Sequence, residues 1–179
     1  VTGLSASVNL PKKIMLMWEP NSNDDFDHYA IYRATNDIFP MTKVATTTAT
    51  EYEDLINDNG VNYHYKVTVV DRDGLESPRQ NASVVGSTLP APKEPVFSYA
   101  RFNGSLVELS WNQSSDSRAL KYKITKTSSN GEDIIYDIDG LSYSDTQVQK
   151  GVEYTYKIQA VDEYGLESKY SQKAVVITK

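Results

Sequence analysis

A stretch that the chain contains twice constrains its fold more than any other feature. Residues Gly60–Ser77 read GVNYHYKVTVVDRDGLES and residues Gly151–Ser168 read GVEYTYKIQAVDEYGLES, identical at 11 of 18 positions. Each copy opens on Gly-Val, alternates Tyr and aliphatic residues with polar ones, and closes in an acidic, Gly-containing turn before Glu-Ser. Alternation with a period of two is the pattern of a half-buried strand, and the turn residues predict a hairpin behind it. The repeat also divides the 179 residues. A duplicated unit of roughly 90 residues can bury a core of its own. The predicted organisation is a module over residues 1–88, a Pro-rich linker over 89–95 and a second module over 96–179.

Around the repeat, short alternating segments recur with turn signals between them. Leu4–Val8, Ile14–Trp18, His28–Arg33, Lys43–Thr47, Glu51–Glu53, Tyr63–Val69 and Ala82–Thr88 give about seven strands, the count of a β-sandwich. The second module repeats the order. Trp18 matches Trp111 and Tyr29 matches Tyr122, while Tyr63 matches Tyr154 and Gly74 matches Gly165 at a separation two residues shorter. That slack is assigned to the longer Leu55–Asn59 turn of the first module. Between the modules, Pro90, Pro92 and Pro95 favour an extended, semi-rigid joint and predict an elongated rod.

Composition narrows the function classes. The 13 Tyr, against 4 Phe and 2 Trp, suit half-buried sheet faces. The net charge is −6, split as 7 basic and 12 acidic residues in 1–88 and 11 and 12 in 89–179. That balance excludes the basic footprint that nucleic acid requires. No apolar run of about 18 residues appears, which predicts no membrane insertion within this chain. There is no Cys, so disulfides, thiolate metal sites and a Cys nucleophile are excluded together. No signal peptide is visible, and Val1 stands just ahead of the first strand, as in a fragment trimmed of its leader and neighbours.

Catalytic chemistry finds little to use. The two His residues, His28 and His64, lie in different elements, with His64 predicted to face solvent between Tyr63 and Tyr65. Asn21, Asn23, Asp25 and Asp27 alternate oxygen ligands, but the Gly and Glu that a calcium loop of the EF type needs are missing. Arg72-Asp73-Gly74 is a scrambled integrin tripeptide and first of all a turn former. Asn81, Asn103 and Asn112 open Asn-x-Ser sequons. No catalytic residue, metal ligand or cofactor site is expected, and the chain is read as non-enzymatic. Trp18 and Trp111 fall on faces that must be buried, so they are core and not sugar platforms. Tyr32, on the opposite parity from Tyr29 and Ile31, and Phe26, beside a polar loop, are expected to be exposed aromatics. The copies differ most at Arg72-Asp73 against Glu163-Tyr164, on the turn tip. Phe26, Tyr32, Arg72, Asp73 and Tyr164 are therefore the candidate partner-binding residues.

These residues together resemble the fibronectin type III module, twice over. The resemblance rests on Trp18 and Trp111 at strand ends, on Tyr29 and Tyr122, and on the Tyr-x-Tyr to Gly-Leu-Glu-Ser run. It implies an all-β fold of two tandem immunoglobulin-like (fibronectin type III) seven-stranded β-sandwiches. It also implies a corner in which Tyr154 hydrogen-bonds upstream backbone through its hydroxyl. The Tyr-x-Asp before the long strand (Tyr52-Glu53-Asp54, Tyr143-Ser144-Asp145) resembles bacterial versions of the module. The pairing is also similar to the fibronectin-like lipoprotein adhesins of Campylobacter, and Trp18-Glu19-Pro20 with Asp25-Phe26 echoes their binding stretch. That likeness implies an extracellular or cell-surface protein, of which an outer-membrane lipoprotein is one form, adhering as a monomer to a matrix protein such as fibronectin, with open edge strands as one docking route. The alternative is a spacer or accessory pair from a secreted bacterial carbohydrate-active enzyme.

Overall fold

The computed structural model describes residues 1–135 and 137–179. The chain divides into two compact units, Val1–Pro90 and Ala91–Lys179. In the first, seven strands form in order: β1 Ser5–Ala6, β2 Lys13–Met17, β3 Phe26–Ala34, β4 Thr42–Thr47, β5 Glu51–Leu55, β6 Asn62–Asp71 and β7 Val84–Ser87. They pair antiparallel into a three-stranded sheet, β1-β2-β5, and a four-stranded sheet, β4-β3-β6-β7. The fourth strand leaves the first sheet to pair with the third, which is the fibronectin type III arrangement of the immunoglobulin-like sandwich. The second unit repeats it with β8 Val96–Phe102, β9 Val107–Asn112, β10 Lys121–Ser128, β11 Gly131–Ile138, β12 Ser142–Asp145, β13 Glu153–Val161 and β14 Ala174–Ile177. Its sheets run β8-β9-β12 and β11-β10-β13-β14. The repeated stretch is β6 in one unit and β13 in the other, the long central strand of each four-stranded sheet.

Alternation sets the cores. Ile14, Leu16, Ile31, Tyr65 and Val67 are fully enclosed in the first unit, and Val107, Leu109, Ile124, Tyr156 and Ile158 in the second. In each, a Trp meets a Tyr edge-on: Trp18 with Tyr29 at 5.2 Å between ring centroids, Trp111 with Tyr122 at 5.4 Å. Both indole N–H groups are buried, and among the described residues neither has an acceptor. The indoles contribute ring volume and aromatic contact to each core, not a hydrogen bond between side chains.

The corner implied for Tyr154 is present, with Gln149 N donating to its hydroxyl at 2.8 Å. A second fastening is shared by the copies. Thr88 Oγ1 accepts from Val61 N at 3.1 Å and Thr178 Oγ1 from Val152 N at 3.0 Å, both on fully buried threonines.

Past each turn the chain takes a path that the alternation does not foretell. Between the turn and β7, Ser77 Oγ accepts from Val69 N, while the Gln80 side-chain amide both accepts from Val67 N and donates to Val67 O. In the second unit Ser168 Oγ accepts from Ala160 N and Ser171 Oγ from Ile158 N. Side chains thus complete the hydrogen bonding of β6 and β13 where no strand runs alongside.

Two expectations change. The first strand shrinks to Ser5–Ala6, because Ser7–Leu10 cross to the other sheet: Ser87 N donates to Ser7 O, and Leu10 bridges Thr88 in parallel. The two-residue slack lies in the β3–β4 turn and not at Leu55–Asn59. Arg33 pairs with Thr42, nine residues on, whereas Lys126 pairs with Asp133, seven on. Asp54 and Asp145 already share the shorter separation of the later strands.

Gly86 illustrates how tight the crossing is. A Cβ built there would lie 2.4 Å from Ile14 Cγ2 and 3.1 Å from Ser7 O. Gly86→Ala is expected to lower stability by about 1–3 kcal/mol through overpacking, measured by urea denaturation.

Candidate functional site

A buried charged cluster occupies the same place in both units. In the first, Asp54 from β5 is 5% exposed. Arg33 Nη1 donates to both its oxygens, at 2.9 and 2.8 Å, and the Tyr65 hydroxyl donates to Oδ2 at 2.8 Å. In the second, Asp145 from β12 meets Lys126 Nζ at 2.8 Å and the Tyr156 hydroxyl at 2.8 Å. Lys126 also donates to Gln147 O and lies over the Tyr154 ring, 4.7 Å from its centroid. Burial, then the hydrogen bond to the carboxylate, pushes the Tyr65 and Tyr156 hydroxyls well above the ordinary phenol value. A carboxylate so enclosed, with its lone pairs taken by a cation and a phenol, has no route to a substrate. The cluster is an interior lock. The Tyr-x-Asp spacing and the inward parity of Arg33 and Lys126 were its sequence signals.

A Ser, a His and an Asp do come together, between β6, the β3–β4 turn and the approach to β7. His64 Nδ1 lies 2.8 Å from Ser83 Oγ and 3.3 Å from Asp37 Oδ1, and the Ser83 hydroxyl donates to Asp37. The order is wrong for nucleophilic catalysis. There the imidazole must stand between hydroxyl and carboxylate to draw off the hydroxyl proton. Here a single imidazole nitrogen faces both groups, and the hydroxyl donates directly to the carboxylate, so its proton is committed there. Ser83, then His64, hold the Asp37 carboxyl below its ordinary range. The trio ties the β3–β4 turn to the sheet, so His64 is a half-buried tethering group with 21% of its side chain exposed, and not a freely solvated one.

The five candidate partner-binding residues do not form one surface. Tyr32 is 5% exposed, against expectation. It does face away from the main core, but that outer face is covered. The Arg79 guanidinium lies over its ring at 3.7 Å, its hydroxyl donates to Glu76 at 2.6 Å, and Ala30, Val70 and Met41 pack around it. The Thr68 and Tyr32 hydroxyls hold Glu76 below the ordinary carboxylate range. Phe26 is also withdrawn, its ring tilted onto Tyr29 with centroids 4.7 Å apart. Trp18 is core as well, so both aromatics of the adhesin-like stretch are spent on packing.

Arg72, Asp73 and Tyr164 are exposed on the turns. Each turn is built by the Asp before it. Asp71 Oδ1 accepts from Asp73 N and Leu75 N, and Asp162 Oδ1 accepts from Tyr164 N and Leu166 N. Gly74 and Gly165 complete the bend at φ of 82° and 75°. In the second unit Arg118 braces the turn, donating to Asp162 Oδ2 at 3.0 Å and to Asp116 at 2.9 Å. The Arg118 guanidinium holds the Asp116 carboxyl low. The most exposed apolar pair, Ile38 at 90% and Phe39 at 62%, sits elsewhere, on the β3–β4 turn. Asn36 Oδ1 accepts from both their backbone N–H groups and fixes them outward. They belong to the turn that is two residues longer in the first copy, and the register of the repeat carried that signal.

Among the described residues, no group of three or more His, Cys, Asp or Glu is placed to hold a metal ion. The Asn21–Asp27 loop makes ordinary turn bonds, such as Asn23 N to Asn21 Oδ1 at 2.7 Å.

No family model matches the chain. It is 39% identical over 89 residues to an amylopullulanase of Thermoanaerobacterium saccharolyticum, across 48% of this chain and 7% of that enzyme. A second amylopullulanase, from Thermoanaerobacterium thermosulfurigenes, is 34% identical over 129 residues, across 69% of this chain and again 7% of the enzyme. Exoglucanase B of Cellulomonas fimi is 25% identical over 184 residues, across 99% of this chain and 16% of the enzyme. The chain therefore spans only a small part of the curated relatives it matches. Among solved structures, an Fn3-like protein from Clostridium thermocellum is 32% identical across 48% of this chain and 92% of its own, with a TM-score of 0.42. A two-domain fibronectin type III segment from chicken tenascin is 19% identical across 99% of this chain and 98% of its own, with a TM-score of 0.44.

Proposed function

We propose that these two sandwiches are non-catalytic fibronectin type III modules of a longer extracellular bacterial enzyme that degrades glucans. The observation that carries the reading is the match of one module's length to 7% of an amylopullulanase at 39% identity. The interior supports it. The buried carboxylates Asp54 and Asp145 are each engaged by a cation and a phenol, and the Ser-His-Asp meeting is ordered for tethering. The adhesive alternative draws nothing from these relatives, and the stretch it leaned on supplies Trp18 and Phe26 to the core. The modules act as folded spacers that hold neighbouring domains apart and keep the polypeptide soluble.

The test is the native polypeptide, captured from culture medium with antibodies raised against this chain. The expected result is a protein several times longer than 179 residues that hydrolyses a glucan, while the isolated chain hydrolyses none. A native polypeptide without glucanase activity that binds immobilised fibronectin saturably at micromolar concentration would overturn the reading.

A further inference from the structure

One groove in the second unit has the composition of a sugar subsite. It is a hollow of about 410 Å³ between the start of β8 and the segment leading into β14. Phe97, packed against the core, gives it an apolar wall. Tyr170 stands in it, 45% exposed as a residue, and Lys157 Nζ sits 5.2 Å from its ring centroid. Pro95 and Val96 extend the apolar wall, and Glu94, Gln172 and Lys173, all three exposed, supply the polar groups. The first unit has no such ring. With Ser77 aligned to Ser168, Arg79 stands where Tyr170 does, and its guanidinium covers Tyr32. The copies therefore differ in kind at this place.

We propose that this groove binds a glucan chain, with one pyranose ring stacked on Tyr170 and its hydroxyls hydrogen-bonded to Glu94, Gln172 and Lys173. The proposal rests on the glucan-enzyme reading above. A pyranose presents a flat C–H face and a rim of hydroxyls. An exposed aromatic covers the first, and a mixture of acceptor, amide and ammonium satisfies the second. The opposite charges of Glu94 and Lys173 offset each other, which suits a neutral ligand better than a phosphorylated or acidic one. The volume lies within the range of about 300–1,000 Å³ in which small-molecule sites fall. The Lys157 cation fixes the ring over the sheet before any ligand arrives, so little side-chain freedom is lost on binding.

The experiment is an amide chemical-shift titration of the 179-residue chain with maltohexaose and, in a separate arm, cellohexaose. Saturable shifts confined to residues 94–97 and 170–173 are expected with at least one sugar, with a Kd on the order of 1 mM. Tyr170→Ala should weaken binding about tenfold or more, and Tyr170→Trp should retain it, because the ring face and not the hydroxyl is used. Absence of shifts with both sugars, shifts centred elsewhere, or an unaltered Kd for Tyr170→Ala would each sink the proposal. So would a proline-rich peptide that shifts these residues when the glucans do not. The two readings fail separately. A native glucanase whose modules bind neither sugar leaves them as spacers and removes the groove. Sugar binding by a polypeptide that proves to hold no glucanase keeps the groove and removes the enzyme.

Discussion

Asp145→Ala is expected to destabilise the second unit by about 3–5 kcal/mol, the largest effect of any single substitution away from the aromatic core. The carboxylate is 1% exposed and its partner Lys126 only 5%. Removing it strands an ammonium in the interior and leaves the Tyr156 hydroxyl without its acceptor. The matching change in the first unit, Asp54→Ala, should cost less. The Arg33 side chain keeps 29% of its surface in water, and its freed guanidinium can turn outward. Replacing the whole cluster together, Asp145→Leu with Lys126→Met and Tyr156→Phe, is expected to be near neutral or stabilising, since no buried charge is then left unpaired. Urea midpoints of the three proteins decide the matter. A small loss for Asp145→Ala would mean that water reaches Lys126.

Alkaline pH should destabilise the chain once it passes the range in which free phenols ionise, about pH 10. The Tyr65 and Tyr156 hydroxyls are raised by burial and by a hydrogen bond to a carboxylate, and burial raises Tyr32, Tyr52 and Tyr143 as well. For a group whose folded value is raised, the sign is fixed. The stability contribution is full below the unfolded value, near 10 for a phenol, and is lost as pH climbs above it, because only the unfolded chain can release the proton. Each such tyrosine contributes a slope of up to about 1.4 kcal/mol per pH unit in that window. Denaturation midpoints at pH 8, 9, 10 and 11 should be level at first and then fall. Tyr65→Phe and Tyr156→Phe should each flatten the fall while costing some stability at neutral pH. A midpoint that stays level to pH 11 would contradict the enclosure of these phenols.

Much of the fold was legible because a sandwich strand writes its faces in the sequence. Ile14, Leu16 and Trp18 share one parity, and so do Tyr63, Tyr65, Val67 and Val69; those positions are the core or pack against it. The turns were equally readable, since Asp71 and Gly74 do there what their chemistry allows. The site residues were harder. Parity placed Tyr32 away from the main core, but it carries no information about what a neighbouring segment lays over that outer face. The cover comes from Glu76 and Arg79, more than forty residues on, through a path that follows no alternation. Arg33 and Lys126 showed inward parity, yet charged residues on an inward face become intelligible only once Asp54 and Asp145 stand across the sheet gap. Tyr170 was invisible for the same reason as Tyr32. It lies in a segment without regular structure, where no period foretells exposure.

The serine and glutamine side chains that complete β6 and β13 reach beyond folding. A strand whose amides and carbonyls are free along one flank is a template on which another chain can crystallise as sheet, and a tandem array brings many such flanks close together. Ser77, Gln80, Ser168 and Ser171 occupy those positions with side chains that take up the strand's own amides, and the Ser168 and Ser171 hydroxyls are themselves spent on the carbonyls of Lys169 and Gln172. A β-rich protein built in this way can be strung in multiple copies, at high local concentration, with fewer templates for fibre growth.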